Sequence, residues 1–155
     1  MFNYPLGLNS AKTTPEVKAE LLGLLGLRHL SEAPVKWPAL WRVSVHNGED
    51  RYVPGLEMYA KELGAPLTTK VNYALDYKIS DDEIEQAQAA MLVSAAQLAD
   101  RVDASAVLFV DTGQVIMRRV DGVLYLREEW RVLRGPDVVS RLPGEPVFHD
   151  DLGTI

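Results

Sequence analysis

Residues 80–101 constrain the fold more than any other part of the chain. Ser80-Asp81-Asp82-Glu83 has the composition of a capping box, in which a serine hydroxyl and a glutamate carboxylate bond each other's backbone N–H groups. The acidic residues also suit the positive end of a helix dipole. Apolar residues then recur at three- and four-residue steps, at Ile84, Ala87, Met91, Leu92, Ala95, Leu98 and Ala99. The pattern predicts a helix of about 20 residues with one wide buried stripe.

Three β-rich runs follow this helix. Residues 105–110 are almost all apolar, which predicts a strand that is covered on both faces. Residues 114–120 and 123–127 flank Asp121-Gly122, a pair that favours a two-residue hairpin because both positions tolerate positive φ. The three runs together predict a C-terminal three-stranded meander.

The first half of the chain alternates strands and helices. One helix is predicted at 13–26, where Thr13-Thr14-Pro15-Glu16 is a helix start. A second is predicted at 54–63, and Gly64 ends it. Strands are predicted at 2–9, 40–46 and 67–79. Pro5 and Gly7 indicate an edge position for the first of these strands.

This element order predicts the fold class α+β. We expect a mostly antiparallel sheet with the C-terminal meander, and one long and one shorter helix packed on one face. The 155 residues fit a single α+β domain, 1–155, of which 135–155 is a loop-rich tail.

Charge is unevenly distributed along the chain. The net charge is −6, and residues 79–113 alone carry seven acidic and one basic side chain. Such a segment repels nucleic-acid phosphates and could attract a basic partner, although a solvated helix face that aids solubility is the simpler explanation. The chain has no cysteine, no apolar run long enough to span a bilayer and no signal-peptide pattern at its start, so we expect a cytoplasmic protein without a membrane partner.

Asp111-Thr112-Gly113 follows an apolar run, as the catalytic aspartate of an aspartic protease does. Such proteases need two carboxylates that share a proton, so one tripeptide requires a homodimer. Gln114 begins another strand, which favours an ordinary hairpin loop with Gly113 in a left-handed conformation. The three histidines, His29, His46 and His149, share no metal-ligand spacing.

Five arginines cluster in and after the predicted meander, at Arg118, Arg119, Arg127, Arg131 and Arg134. Arg118 and Arg119 point to opposite faces of a strand, so they do not form one patch. Binding to the acidic helix of the same molecule explains the cluster more simply than nucleic-acid binding, for which the net charge has the wrong sign.

The apolar pattern of residues 56–143 resembles that of a known family. The segments that carry the likeness are Met58–Gly64, Val71–Lys78, Ala89–Leu98, Ala106–Val110, Val115–Arg119, Gly122–Leu126, Trp130 and Leu142-Pro143. They are similar to the immunity proteins of the myxobacterial swarming-inhibition (Sit) toxin systems. The resemblance implies a protein without catalysis that binds and neutralises a cognate toxin delivered between kin cells. The N-terminal third shows no clear likeness.

The function predicted from these observations is that of a non-catalytic immunity protein without cofactor or metal. An acidic surface suits a basic toxin, such as a nuclease, because opposite potentials speed encounter. The candidate partner-binding residues are Asp81, Asp82, Glu85, Asp100 and Asp103. Two alternatives remain: a structural protein that acts through self-association, and a small hydrolase that uses Asp111 with His46 or His149.

Overall fold

The structure is a computed structural model, and it describes residues 2–28, 35–37, 41–48, 56–75, 80–110, 113–130 and 136–152. In chain order the elements are β1 (Phe2–Asn9), α1 (Thr14–Leu25), β2 (Val35–Trp37), β3 (Trp41–Asn47), α2 (Leu56–Leu63), β4 (Thr69–Leu75), α3 (Asp81–Arg101), β5 (Ser105–Phe109), β6 (Val115–Val120), β7 (Val123–Arg127), α4 (Pro136–Val139) and β8 (Val147–His149). The described strands form one sheet of eight in the order β2-β3-β4-β1-β5-β6-β7-β8.

The sheet is antiparallel at every described pairing except that of β7 with β8, which is parallel. The predicted α+β class with a mostly antiparallel sheet is therefore confirmed. Strands β5, β6 and β7 are consecutive antiparallel neighbours. Asp121 and Gly122, which join the last two, have φ values of 51° and 78°, as their hairpin turn requires.

The two faces of the sheet are covered by different helices. One face, here called the α1–α3 face, carries the larger apolar cluster, in which Leu6, Val71 and Leu108 of neighbouring strands pack with the buried sides of α1 and α3. The opposite face, here called the α2 face, carries a smaller cluster that includes Tyr59 and Phe109. Strand β5 contributes to both clusters, which confirms that both of its faces are covered.

Both long helices begin where their capping residues predict. The hydroxyl of Thr13 and the carboxylate of Glu16 form a complete capping box, and Gly26 ends α1 at φ 66°. At α3 the hydroxyl of Ser80 accepts a bond from the Glu83 amide. Among the described contacts of Glu83 there is no return bond, so only half of the predicted box forms there.

Trp41 links β3 to α3 on the α1–α3 face. Its side chain is fully buried, and its indole N–H donates to the carbonyl of Ala87 in α3 at 2.9 Å. The rings of Tyr4 and Tyr73 meet it edge-on, with centroids 5.5 and 6.2 Å away. A hydrogen-bonded tryptophan at this point joins the sheet to the first half of α3.

The predicted edge position of residues 2–9 is wrong, because β1 lies in the middle of the sheet between β4 and β5. Pro5 is tolerated there because β5 pairs with β1 only from Leu6 onwards. Gly7 is required for a packing reason: a Cβ atom at this position would lie 2.6 Å from a ring carbon of Tyr59. Pro5 and Gly7, which usually weaken a strand, are therefore both compatible with the central position of β1.

The tail is more regular than its composition indicates. Residues 147–149 pair in parallel with β7 as β8, and a short helix, α4, precedes them. Leu152 is buried in the smaller apolar cluster on the α2 face. Outside these two short elements, the described part of the tail has no regular secondary structure.

Candidate functional site

The three described arginines of the predicted cluster, Arg118, Arg119 and Arg127, are buried. Arg118, on the α2 face, pairs with the carboxylate of Glu62 in α2, and it donates to the carbonyls of Glu62 at 2.7 Å and Leu152 at 3.0 Å. Its side chain is only 4% exposed. It therefore ties α2 and the C-terminal residues to the sheet, and it is not available to a partner.

Arg119 points to the opposite face, as the strand alternation predicts. It donates to the carbonyl of Ala104 at 2.8 Å, and it forms ion pairs with Asp103 at 3.1 Å and Asp100 at 3.7 Å. The prediction that Arg118 and Arg119 do not form one patch is confirmed. Two of the five candidate partner-binding acids, Asp100 and Asp103, thus hold the charge of a buried arginine, although both carboxylates remain largely exposed.

Arg127 is the third buried arginine. It donates to the carbonyls of Val115 at 2.9 Å and Asp150 at 3.2 Å, and it pairs with the carboxylates of Glu129 and Asp151. The bonds to Asp150 and Asp151 attach the C-terminal segment to the open end of the β6–β7 hairpin. Arg131 and Arg134 lie outside the described residues.

The other three candidate partner-binding acids lie at the start of α3. Asp81, Asp82 and Glu85 are all exposed. With a rise of 1.5 Å per residue, this end of the helix is roughly 28 Å from Asp100. The helix between the two ends is buried over residues 91–96. The candidate acids therefore form two separate surfaces, one at each end of α3.

The residues of the hydrolase alternative are not brought together. His46 lies on β3, where its ring is 3.1 Å from the hydroxyl of Ser44, whereas His149 lies on β8 at the other side of the sheet. Five strands separate β3 from β8, a distance of roughly 29 Å at the usual strand spacing. Asp111 lies outside the described residues, and the described part of the chain contains no cluster of three potential metal ligands.

A cavity of about 400 Å³ opens on the α2 face, over β3, β4 and β1. It is called here the α2-face cavity. Its polar lining comes from the sheet, and its apolar lining comes mainly from α2 and the β5–β6 turn. The residues are Asn3, Pro5, His46, Met58, Lys70, Asn72, Phe109, Val110 and Gly113. His46 and Lys70 are directly opposite each other in the pairing of β3 with β4.

Burial shifts the pKa of Lys70 in this cavity and that of the adjacent Tyr59. It lowers the pKa of the Lys70 ammonium, because desolvation disfavours the charged form. It raises the pKa of the neighbouring Tyr59 phenol to about 12. The Lys70 ammonium lies 5.9 Å from the centre of the Tyr59 ring. No described carboxylate lies within 4.0 Å of this ammonium group.

Sequence reasoning did not identify this cavity. The alternation of β4 places Lys70 and Asn72 on one face, and that signal is correct. The register that brings His46 and Asn3 beside them depends on pairings between residues far apart in sequence, which no local pattern encodes.

The described residues define an α+β protein with internally paired arginines, an exposed acidic helix start and a cavity on the α2 face of the sheet. Residues 2–135 match the model of the SitI3-like family, so the chain belongs to that family. The match confirms the resemblance to the Sit immunity proteins, and it extends the likeness over the N-terminal third. No curated protein and no solved structure matches the chain. None of the described helices has the length and apolar character to span a bilayer.

Proposed function

We propose that this protein is a non-catalytic immunity protein that binds and neutralises a cognate toxin. The observation that carries the proposal is the match of residues 2–135 to the SitI3-like family, which covers most of the chain. A family of immunity proteins implies a toxin as partner. Inhibition by binding needs a complementary surface and no catalytic group.

The acidic start of α3 is the proposed contact surface for a basic toxin, such as a nuclease. Asp81 and Asp82 are exposed, and no described residue forms an ion pair with either carboxylate. Negative charge that is not neutralised within the molecule is available to steer a basic partner. Asp100 and Asp103 form the second proposed surface, at the other end of α3.

Protection of cells tests the function itself. A candidate toxin gene is sought in the neighbourhood of this gene and is expressed in a sensitive host with and without the protein, and survival is counted. We expect survival only with the protein, and co-purification of the two chains. Death of the host despite folded, abundant protein contradicts the immunity role for that toxin.

Charge reversal tests the surface. Asp82→Lys with Glu85→Lys is expected to slow association with the toxin and to reduce its dependence on salt. The matched control, Asp137→Lys with Glu145→Lys, makes the same change of net charge at two exposed tail residues. Equal association rates and salt slopes for the two variants remove the start of α3 from the interface.

Self-association is the second candidate function. Val120, Val123 and Val147 are exposed apolar side chains near β8, the last strand of the described sheet. Apolar side chains beside a free sheet edge favour pairing with another chain. Light scattering over a range of concentrations tests it: a constant monomer mass excludes self-association as the function.

A further inference from the structure

The α2-face cavity combines one positive charge with an apolar wall. Lys70 is half-buried in it, and its described neighbours provide hydrogen-bonding groups but no negative charge. The amide of Asn72 donates to the side-chain oxygen of Asn3 at 3.2 Å, which leaves its second N–H for another acceptor.

The rest of the wall is apolar. Met58 projects from α2 with 41% of its surface exposed, and Phe109 and Val110 border the cavity from the end of β5. Pro5 of β1 lies beneath. A ligand that fits this lining has an apolar body and one negatively charged end, because small-molecule sites pair a mainly apolar wall with a few fixed polar groups.

We propose that the α2-face cavity binds a carboxylate carried on an apolar group. The carboxylate pairs with the Lys70 ammonium and accepts a bond from the Asn72 amide, while the apolar group contacts Met58 and Phe109. One lysine balances one carboxylate, so a singly charged ligand leaves no excess charge among the described lining residues. Such a pair is strengthened because the site is already partly desolvated, and burial of Lys70 lowers the pKa of its ammonium in the unliganded protein.

This inference goes beyond the proposed function, since the cavity and α3 lie on opposite faces of the sheet. Two sources supply the same chemistry: a small organic acid, or an acidic side chain of a protein. The test below uses one probe for each source, and neither probe requires the toxin.

The first probe is 3-phenylpropionate, followed by backbone amide NMR shifts of the whole protein. We expect saturable shifts at residues around Lys70 and Asn72, with a dissociation constant on the order of a few millimolar, as an 11-atom ligand allows. The neutral control is 3-phenylpropionamide, which we expect to bind roughly tenfold more weakly. Equal shifts with acid and amide overturn the proposal.

Two variants locate the site. Lys70→Gln removes the charge and is expected to weaken 3-phenylpropionate roughly tenfold, whereas Lys61→Gln, on the exposed side of α2, leaves binding unchanged. Met58→Trp fills the mouth of the cavity and is expected to abolish binding, whereas Met58→Leu retains it. Met58→Trp also tests the site if Lys70→Gln does not fold. Native affinity for 3-phenylpropionate in folded Lys70→Gln or in folded Met58→Trp overturns the proposal.

The second probe is a blocked tripeptide with a central glutamate between two phenylalanines, with the glutamine peptide as its control. If 3-phenylpropionate binds at least tenfold more tightly than the glutamate peptide, the cavity is assigned to small organic acids. A glutamate peptide that binds as tightly or more tightly assigns it to a protein side chain. Failure of both carboxylate probes to exceed their neutral controls overturns the proposal and leaves the immunity function untouched.

Discussion

Removal of the ion pair between Arg118 and Glu62 tests whether this pair attaches α2 to the sheet. Arg118 is almost fully buried in β6, and the carboxylate of Glu62 is its only described anionic partner. Glu62→Gln preserves the size of the side chain and both carbonyl acceptors of Arg118, so it removes the negative charge alone. The arginine is left charged in a poorly solvated place.

The expected loss of unfolding free energy follows from these contacts. Removal of one partner from a fully buried ion pair costs about 3–5 kcal/mol. Here the side chain of Glu62 is 16% exposed, and Arg118 keeps two carbonyl bonds. We therefore expect a loss of about 2 kcal/mol from Glu62→Gln, measured by urea denaturation.

Glu20→Gln is the matched control. It makes the same chemical change at the ion pair with Arg101, where the charged atoms are 3.8 Å apart and the side chains are 37% and 50% exposed. Its expected cost is below about 0.5 kcal/mol. A double-mutant cycle with Arg118→Met completes the test, with an expected coupling of about 1–2 kcal/mol. A coupling near zero, or equal costs for the two Glu→Gln variants, refutes the idea that this pair attaches α2 to the sheet.

Two further predictions concern packing and pH. Gly7→Ala places a Cβ atom 2.6 Å from Tyr59 and is expected to cost about 1–3 kcal/mol in unfolding free energy. Gly23→Ala, the control in an exposed helical position, is expected to stabilise the protein by about 0.5–1 kcal/mol. Similar effects of the two variants on the midpoint of urea denaturation contradict this packing. Backbone and side-chain hydrogen bonds from Thr13 lower the pKa of Glu16 below 4.5, so the unfolded chain binds more protons and this contribution to stability is lost as pH falls through the folded pKa. Glu16→Gln is expected to make the acid-induced loss of stability shallower below about pH 5, and parallel pH profiles for the native and variant proteins rule out that role.

The helices were the most predictable part of the fold. Their signals are local: the Thr13 cap and Gly26 delimit α1, and the apolar spacing from Ile84 onward defines the buried side of α3. The order of strands was not predictable in the same way. The central position of β1 comes from its pairing with β4 and β5, which are distant in sequence, and the ring of Tyr59 lies over Gly7 from 52 positions away. The parallel pairing of β8 likewise depends on arginine contacts that bring the tail back to β7.

In the candidate site, too, local properties were predictable from the sequence and contacts between distant residues were not. Exposure of Asp81, Asp82 and Glu85 followed from their position at a helix start, which is a local property. The pairing of Asp100 and Asp103 with Arg119 required knowledge of which strand passes the end of α3. Sequence reasoning had favoured contact between the arginines and the acidic helix of the same molecule, and for Arg119 this contact is observed.

The difference in length between the helices explains why one face of the sheet retains a cavity. α1 and α3, of 12 and 21 residues, extend roughly 18 and 32 Å and cover the apolar centre of their face. α2 has eight residues, or roughly 12 Å, and it packs on β1 and β5. The described sheet is eight strands wide, roughly 34 Å. Among the described elements, α2 packs on β1 and β5, and the α2-face cavity lies beside it, where the partly buried side chains of His46, Lys70 and Asn72 line β3 and β4.

The two proposed surfaces are therefore expected to work independently. The start of α3 and the α2-face cavity are separated by the packed sheet, and a ligand at one makes no contact with the other. Without a shared two-state element, binding at one site leaves the affinity at the other unchanged. We accordingly expect 3-phenylpropionate at saturation to leave the affinity for the toxin unaltered. A shift in toxin affinity that disappears in Met58→Trp instead places the cavity within the toxin interface, and it replaces the start of α3 as the principal contact.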